Sequence, residues 1–119
     1  MSKYILLILF AVVTFGCDDI IEVEDISNTT VIVLAPTDNA VLNNTTLTFS
    51  WEPIDSAETY QIQIATPTFE DALQIVVDST LANTNFTTTL ENTNYEWRIR
   101  AKNSGYQTAY TTKSFSIEE

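Results

Sequence analysis

The residues that could do chemistry are one thiol at Cys17, sixteen Asp and Glu carboxylates, five Lys and Arg side chains and no histidine. With no imidazole and a single thiol, one chain cannot assemble a Ser-His-Asp triad, a thiolate–imidazole pair, a disulfide or a zinc site with Cys or His ligands. Carboxylate chemistry remains. Glycoside hydrolysis needs two carboxyl groups across a cleft, one of them tuned to stay protonated. The acids here gather in turns and directly after Cys17, so no enzyme activity is expected. Glu70-Asp71 and Asp38-Asn39 are the densest hard-oxygen groups, but neither sits in a loop with the several spaced ligands calcium takes. No metal or other cofactor is expected.

A basic row is the second feature. Arg98, Arg100 and Lys102 alternate with Trp97, Ile99 and Ala101, so on a strand the three charges project from one face. Apart from Lys3, they are three of the four basic residues. Two readings stand side by side. In one, the stems cover the sheet and the heads pair with acids such as Glu96, each pair contributing about 0 to 1 kcal/mol. In the other, the row binds an acidic glycan or a partner's carboxylates. Phe69, Tyr106 and Tyr110 lie in or beside loops, either as partly buried packing or as rings that stack on a sugar or a partner. Trp51 and Trp97 lie on the inward parity of their strands and are expected in the core. A net charge of −11, reaching −12 without Lys3, disfavours nucleic acid and anionic membrane surfaces.

Lys3 precedes an apolar run, Ile5 to Val13, that ends at Thr14-Phe15-Gly16-Cys17. The run is too short to span a bilayer, which takes about 20 residues, and has the layout of an export signal over residues 1–16. Gly16-Cys17 resembles the lipobox of bacterial lipoproteins. That resemblance implies acylation of Cys17 and cleavage before it. One chain binds a bilayer marginally at about 0.8 kcal/mol per buried CH₂, whereas two or three anchor stably. Residues 17–30 then read as the lipidated cysteine and an acidic tether, with Asp18, Asp19, Glu22, Glu24 and Asp25 repelling one another. Asp18 and Asp19 resemble a surface-export signal of certain Gram-negative bacteria, implying the outer face of the outer membrane. In other groups an Asp after the cysteine resembles an inner-membrane retention signal, so the periplasmic face of either membrane is the alternative.

Residues 31–117 alternate with period two: Leu47, Phe49, Trp51; Tyr60, Ile62, Ile64; Ile75, Val77; Phe86, Leu90; Tyr95, Trp97, Ile99, Ala101; Phe115, Ile117. With Val31 to Leu34 this makes about seven strands. Turn-forming residues separate them, among them Pro36 with Asp38-Asn39, Pro53 with Asp55-Ser56, and Asn103-Ser104-Gly105. The pattern predicts an all-β, seven-stranded immunoglobulin-like sandwich. One turn over Thr68 to Leu73 is also expected, with Thr68 capping toward Asp71.

Leu47-Thr48-Phe49-Ser50-Trp51-Glu52-Pro53, with Tyr60-Gln61-Ile62-Gln63-Ile64 and then Tyr95-Glu96-Trp97-Arg98-Ile99-Arg100-Ala101, resembles the fibronectin type III family. The resemblance implies a tyrosine corner at Tyr95, and it places Gln61 and Gln63 beside the basic row. The Pro-Thr-Asp-Asn-Ala turn and the Phe-Ser-Trp strand also resemble the N-terminal sandwich of starch-utilisation-type surface lipoproteins. Asp55-Ser56-Ala57 and Asp78-Ser79-Thr80 resemble a short O-glycosylation signal of exported bacterial proteins, with Ser56 and Ser79 as acceptors in expected turns. Two functions follow. The first is a non-enzymatic envelope module, held to a membrane through lipid on Cys17, that binds a glycan or an outer-membrane protein. The second is a structural spacer with no ligand. Fold alone does not choose between them.

Overall fold

The computed structural model describes residues 22–119. The expected export signal, with Cys17, Asp18 and Asp19, lies outside the described residues. Eight strands follow in order: β1 (Val33–Ala35), β2 (Ala40–Leu42), β3 (Thr46–Trp51), β4 (Thr59–Thr66), β5 (Gln74–Leu81), β6 (Asn85–Thr89), β7 (Asn94–Lys102) and β8 (Thr111–Ile117). They form a three-stranded sheet, β1-β3-β6, and a five-stranded sheet, β2-β8-β7-β4-β5. The all-β sandwich is as the alternation predicts. Among the described residues no helix is long and apolar enough to cross a membrane.

The strand count is eight rather than seven, and the addition is β2. Asp38 Oδ1 accepts the Ser114 N–H at 2.9 Å, and the Asn39 N–H donates to the Ser114 carbonyl at 2.7 Å. Asn39 takes a left-handed φ of 63°, which asparagine tolerates better than most side chains. This turn carries the chain from the smaller sheet to the larger, where Ala40–Leu42 pairs in parallel with Phe115–Ile117. Three residues are too few to show a period, so alternation does not reveal the strand.

The inward row of each central strand fills the gap between the sheets. Phe49, Ile62, Ile64, Trp97 and Ile99 are fully buried, with Trp51, Tyr60, Tyr95, Phe115 and Ile117 nearly so. Phe49 meets Trp97 edge-on at 4.9 Å and Phe115 at 5.6 Å, while Trp51 lies 5.8 Å from Tyr60. Such contacts add about 0.5 to 1.5 kcal/mol each beyond burial. Both indole N–H groups are buried without an acceptor. At about 1 to 3 kcal/mol per unmade bond, this cost must be offset by the packing of the rings.

The acidic stretch differs from expectation. Residues 22–30 do not run free of the domain, because Ile26 is buried in the core beside Val31. Asn103 Nδ2 donates to the carbonyls of Glu24 and Ser56 at 2.9 and 3.1 Å, fastening the stretch to the β3–β4 and β7–β8 connections. Of the two apolar side chains among these acids, Ile26 joins the core and Val23 stays exposed. Asp78-Ser79-Thr80 also differs. It lies within β5 rather than in a turn, with Ser79 opposite Ile62 and half-buried. Asp55-Ser56 does form the expected turn, with Ser56 exposed at φ 68°.

Candidate functional site

The outer face of the larger sheet holds the basic row. Arg98, Arg100 and Lys102 sit at alternate positions of β7, opposite Gln63, Gln61 and Thr59 of β4. Trp97, Ile99 and Ala101 between them point into the core, which fixes the direction of the row. Beyond β4 comes β5, where Asp78 faces Gln63 and is exposed. On the other flank, β8 sets Thr112 opposite Arg98 and Ser114 opposite Glu96.

These residues form a continuous relay. Asp78 Oδ1 accepts the Gln61 amide N–H at 2.9 Å and Oδ2 accepts that of Gln63 at 3.1 Å. With their amides turned toward Asp78, both glutamines present Oε1 to β7. Gln63 Oε1 accepts Arg98 Nε–H at 2.7 Å, and Gln61 Oε1 accepts Arg100 Nε–H at 3.0 Å and Nη2–H at 2.7 Å. The two amide bonds hold the Asp78 carboxyl below the ordinary aspartate range, and the charges of Lys102 and Arg100 add to this against a small desolvation effect.

Two loop rings complete the arrangement. The Arg98 guanidinium lies 4.1 Å from the centre of the Phe69 ring and 4.2 Å from that of Tyr110, and Arg100 lies 4.5 Å from Tyr110. Cation–π contacts contribute about 0.5 to 1 kcal/mol each when exposed and more when dry. Phe69 is brought there by the β4–β5 connection, whose backbone N–H at Phe69 donates to Glu96 Oε1 at 2.9 Å. The same connection carries the Thr68 cap, with the Asp71 N–H donating to Thr68 Oγ1 at 3.1 Å. Glu96 therefore holds a loop instead of pairing with an arginine. The rings of Phe69 and Tyr110 hold guanidinium groups.

The third loop aromatic goes elsewhere. Tyr106 lies 41% exposed beside Val23, Glu24 and Asp25, in a shallow depression at the end where the acidic stretch docks. The six candidates thus divide into five that meet on one face and one that does not. Asp78 is the member that sequence reading missed. Its outward parity on β5 is a usable signal once β5 is known to border β4. No sequence signal foretells which way the loops carrying Phe69 and Tyr110 fold. Among the described residues no three metal-ligating side chains come together.

The bonds leave Nη1 and Nη2 of Arg98 and Nη1 of Arg100 unused among the described residues. A guanidinium held by its Nε and by stacked rings has already lost most of its rotamer freedom. Binding through its remaining N–H groups then costs less entropy. The face is chemically suited to planar anions such as carboxylates.

No protein-family model and no curated protein matches the chain. Among solved structures it is similar to a fibronectin type III domain of a human protein, at 13% identity and a TM-score of 0.59, over 87% of this chain and 85% of that one. It is also similar to the fibronectin(III)-like modules of Clostridium thermocellum CbhA, at 12% identity and a TM-score of 0.55, over 75% of this chain and 96% of that one. The module FN3tt matches at 19% identity and a TM-score of 0.54, over 76% of this chain and 98% of that one. The fold is that of a fibronectin type III-like sandwich.

Proposed function

We propose that this chain is a non-enzymatic cell-envelope lipoprotein, anchored through acyl chains on Cys17, whose sandwich is a binding module for an acidic glycan or protein partner. The reading places it on the outer face of the outer membrane, with the periplasmic face of either membrane as the alternative. One observation carries the binding role. On a molecule with sixteen acids, Arg98 and Arg100 are fixed by glutamines and aromatic rings, and unused guanidinium N–H groups remain on both. Domains of this fold commonly serve as binding or spacer modules. The spacer reading draws on the same relay, because Asp78, Gln61 and Gln63 already satisfy part of the basic row. Arg98→Gln with Arg100→Gln separates the two. The double variant should keep its fold, lose at most about 2 kcal/mol through the missing ring contacts, and no longer retain acidic partners in a pull-down or on a glycan array. Retention equal to the parent's would move the site off this face.

A further inference from the structure

Resting on the binding role of this face, we infer that its partner is an extended segment of another protein with carboxylates at alternate positions, lying along β7 with three acids over Arg98, Arg100 and Lys102. The spacing leads to this partner. A strand rises about 3.4 Å per residue, so the backbone positions of Arg98, Arg100 and Lys102 repeat every ~6.8 Å along one face of β7. An extended polypeptide repeats its side chains on one face by the same rise, so acids at every second position stay in register along the whole row. Acids at consecutive positions would point half of their charge away from it. A sugar chain repeats by its own ring geometry and has no built-in reason to keep step with β7.

The flanks favour the same partner. On the β8 side, Thr112 adds a hydroxyl group opposite Arg98, and the Tyr110 ring lies against Arg98 and Arg100. Asp78, on the other side, already accepts from two amides and carries its charge to the arginines through Gln61 and Gln63. Glu96 occupies the next outward position of β7 before Arg98. A fourth acid placed there would meet a like charge, so Glu96 fixes where the acidic run must end, a repulsive element of the kind that sets register.

The test titrates the full chain with three probes and follows the Arg98 and Arg100 Nε–H and the Gln61 and Gln63 side-chain amide signals by NMR. The probes are a Thr-Glu-Thr-Glu-Thr-Glu-Thr peptide, a peptide of the same composition with its three Glu adjacent, and polygalacturonate. The alternating peptide should shift the arginine signals and bind at least tenfold more tightly than the blocked one. Arg98→Gln with Arg100→Gln should weaken it at least tenfold, while Lys113→Gln, which removes a charge on the inward parity of β8, should not. Equal affinity for the two peptides overturns the register. Polygalacturonate shifting the same signals while neither peptide does overturns the protein partner but leaves the carboxylate face standing. Shifts that depend on the chain's own concentration assign the face to a second copy and overturn the proposal. No shift with any probe removes both the proposal and the binding role it rests on.

Discussion

The Tyr95 hydroxyl donates to the Glu91 backbone carbonyl at 2.7 Å, closing the corner between β6 and β7 just before the basic row begins. The ring stacks on Phe115 at 5.2 Å, so the corner is fixed at both ends of the side chain. Tyr95→Phe keeps the ring and leaves a carbonyl without its donor. A loss of about 0.5 to 1.5 kcal/mol is expected, read as a lower urea midpoint with an unchanged slope. A loss under 0.3 kcal/mol would mean that the hydroxyl is not holding the corner.

The same tyrosine gives an alkaline signature. Burial pushes its hydroxyl above the ordinary tyrosine value, and the Glu91 charge adds to this. A raised folded value means the contribution is complete below about pH 10 and is lost as pH rises through the folded value. The difference in stability between the parent and Tyr95→Phe should therefore shrink above pH 10. A difference that is constant to pH 11.5 would contradict the raised value.

The inward rows of β3, β4 and β7 were legible because each alternates for at least five residues, and Trp51 and Trp97 followed from that parity alone. β2 was not legible, since three residues pair in parallel with β8 only after a turn held by Asp38 and Asn39 has moved the chain between sheets. The basic row was legible as a row. Its surroundings were not, because Phe69 comes to Arg98 from a connection well over 20 residues away, Tyr110 comes to Arg98 and Arg100 across a turn, and Asp78 acts through Gln61 and Gln63 from another strand, and sequence spacing says nothing of such approach. Ile26 is one of four apolar residues, with Ile20, Ile21 and Val23, interleaved with the acids, and nothing in that spacing singles it out for the core.

Ile26 therefore makes a prediction of its own. Ile26→Ala should cost about 2 to 5 kcal/mol if the side chain is core, toward the lower end at the rim of a sandwich. Val23, in the same stretch, is 38% exposed and offers a contrast, since Val23→Ala should change stability by less than about 0.5 kcal/mol. Urea titrations of the two variants beside the parent decide it. Equal effects would return residues 22–30 to a free tether.

Attachment to the membrane is tested in growing cells. A labelled fatty acid should mark the protein and Cys17→Ser should remove the mark, while protease added outside intact cells should remove the domain. Label persisting in Cys17→Ser would end the lipid anchor. Full protection while a known surface protein is digested would place the domain on a periplasmic face.

Asp78 supplies an acid-side test of the relay. Its carboxyl lies below the ordinary aspartate value of about 3.9, chiefly because Gln61 and then Gln63 donate to it. A lowered folded value contributes stability that is present above the unfolded value and is lost as pH falls through the folded one. Asp78→Asn removes that dependence. Its own Nδ2 would also face an amide N–H, donor against donor, so one glutamine must turn and present N–H rather than Oε1 to an arginine. Because Asp78 is exposed, the stability cost at pH 7 should stay below about 1 kcal/mol. The difference from the parent should narrow as pH drops from 4 toward 2. Asp25, also lowered by its bonds to Ser27, titrates in the same range in both proteins and cancels in the comparison. The orientation itself is read from the Arg98 and Arg100 Nε–H signals, which should lose protection from exchange in Asp78→Asn at pH 7. If both signals stay protected and the stability difference is flat from pH 7 to 2, Asp78 is a bystander and the glutamines are set by β4 and β7 alone.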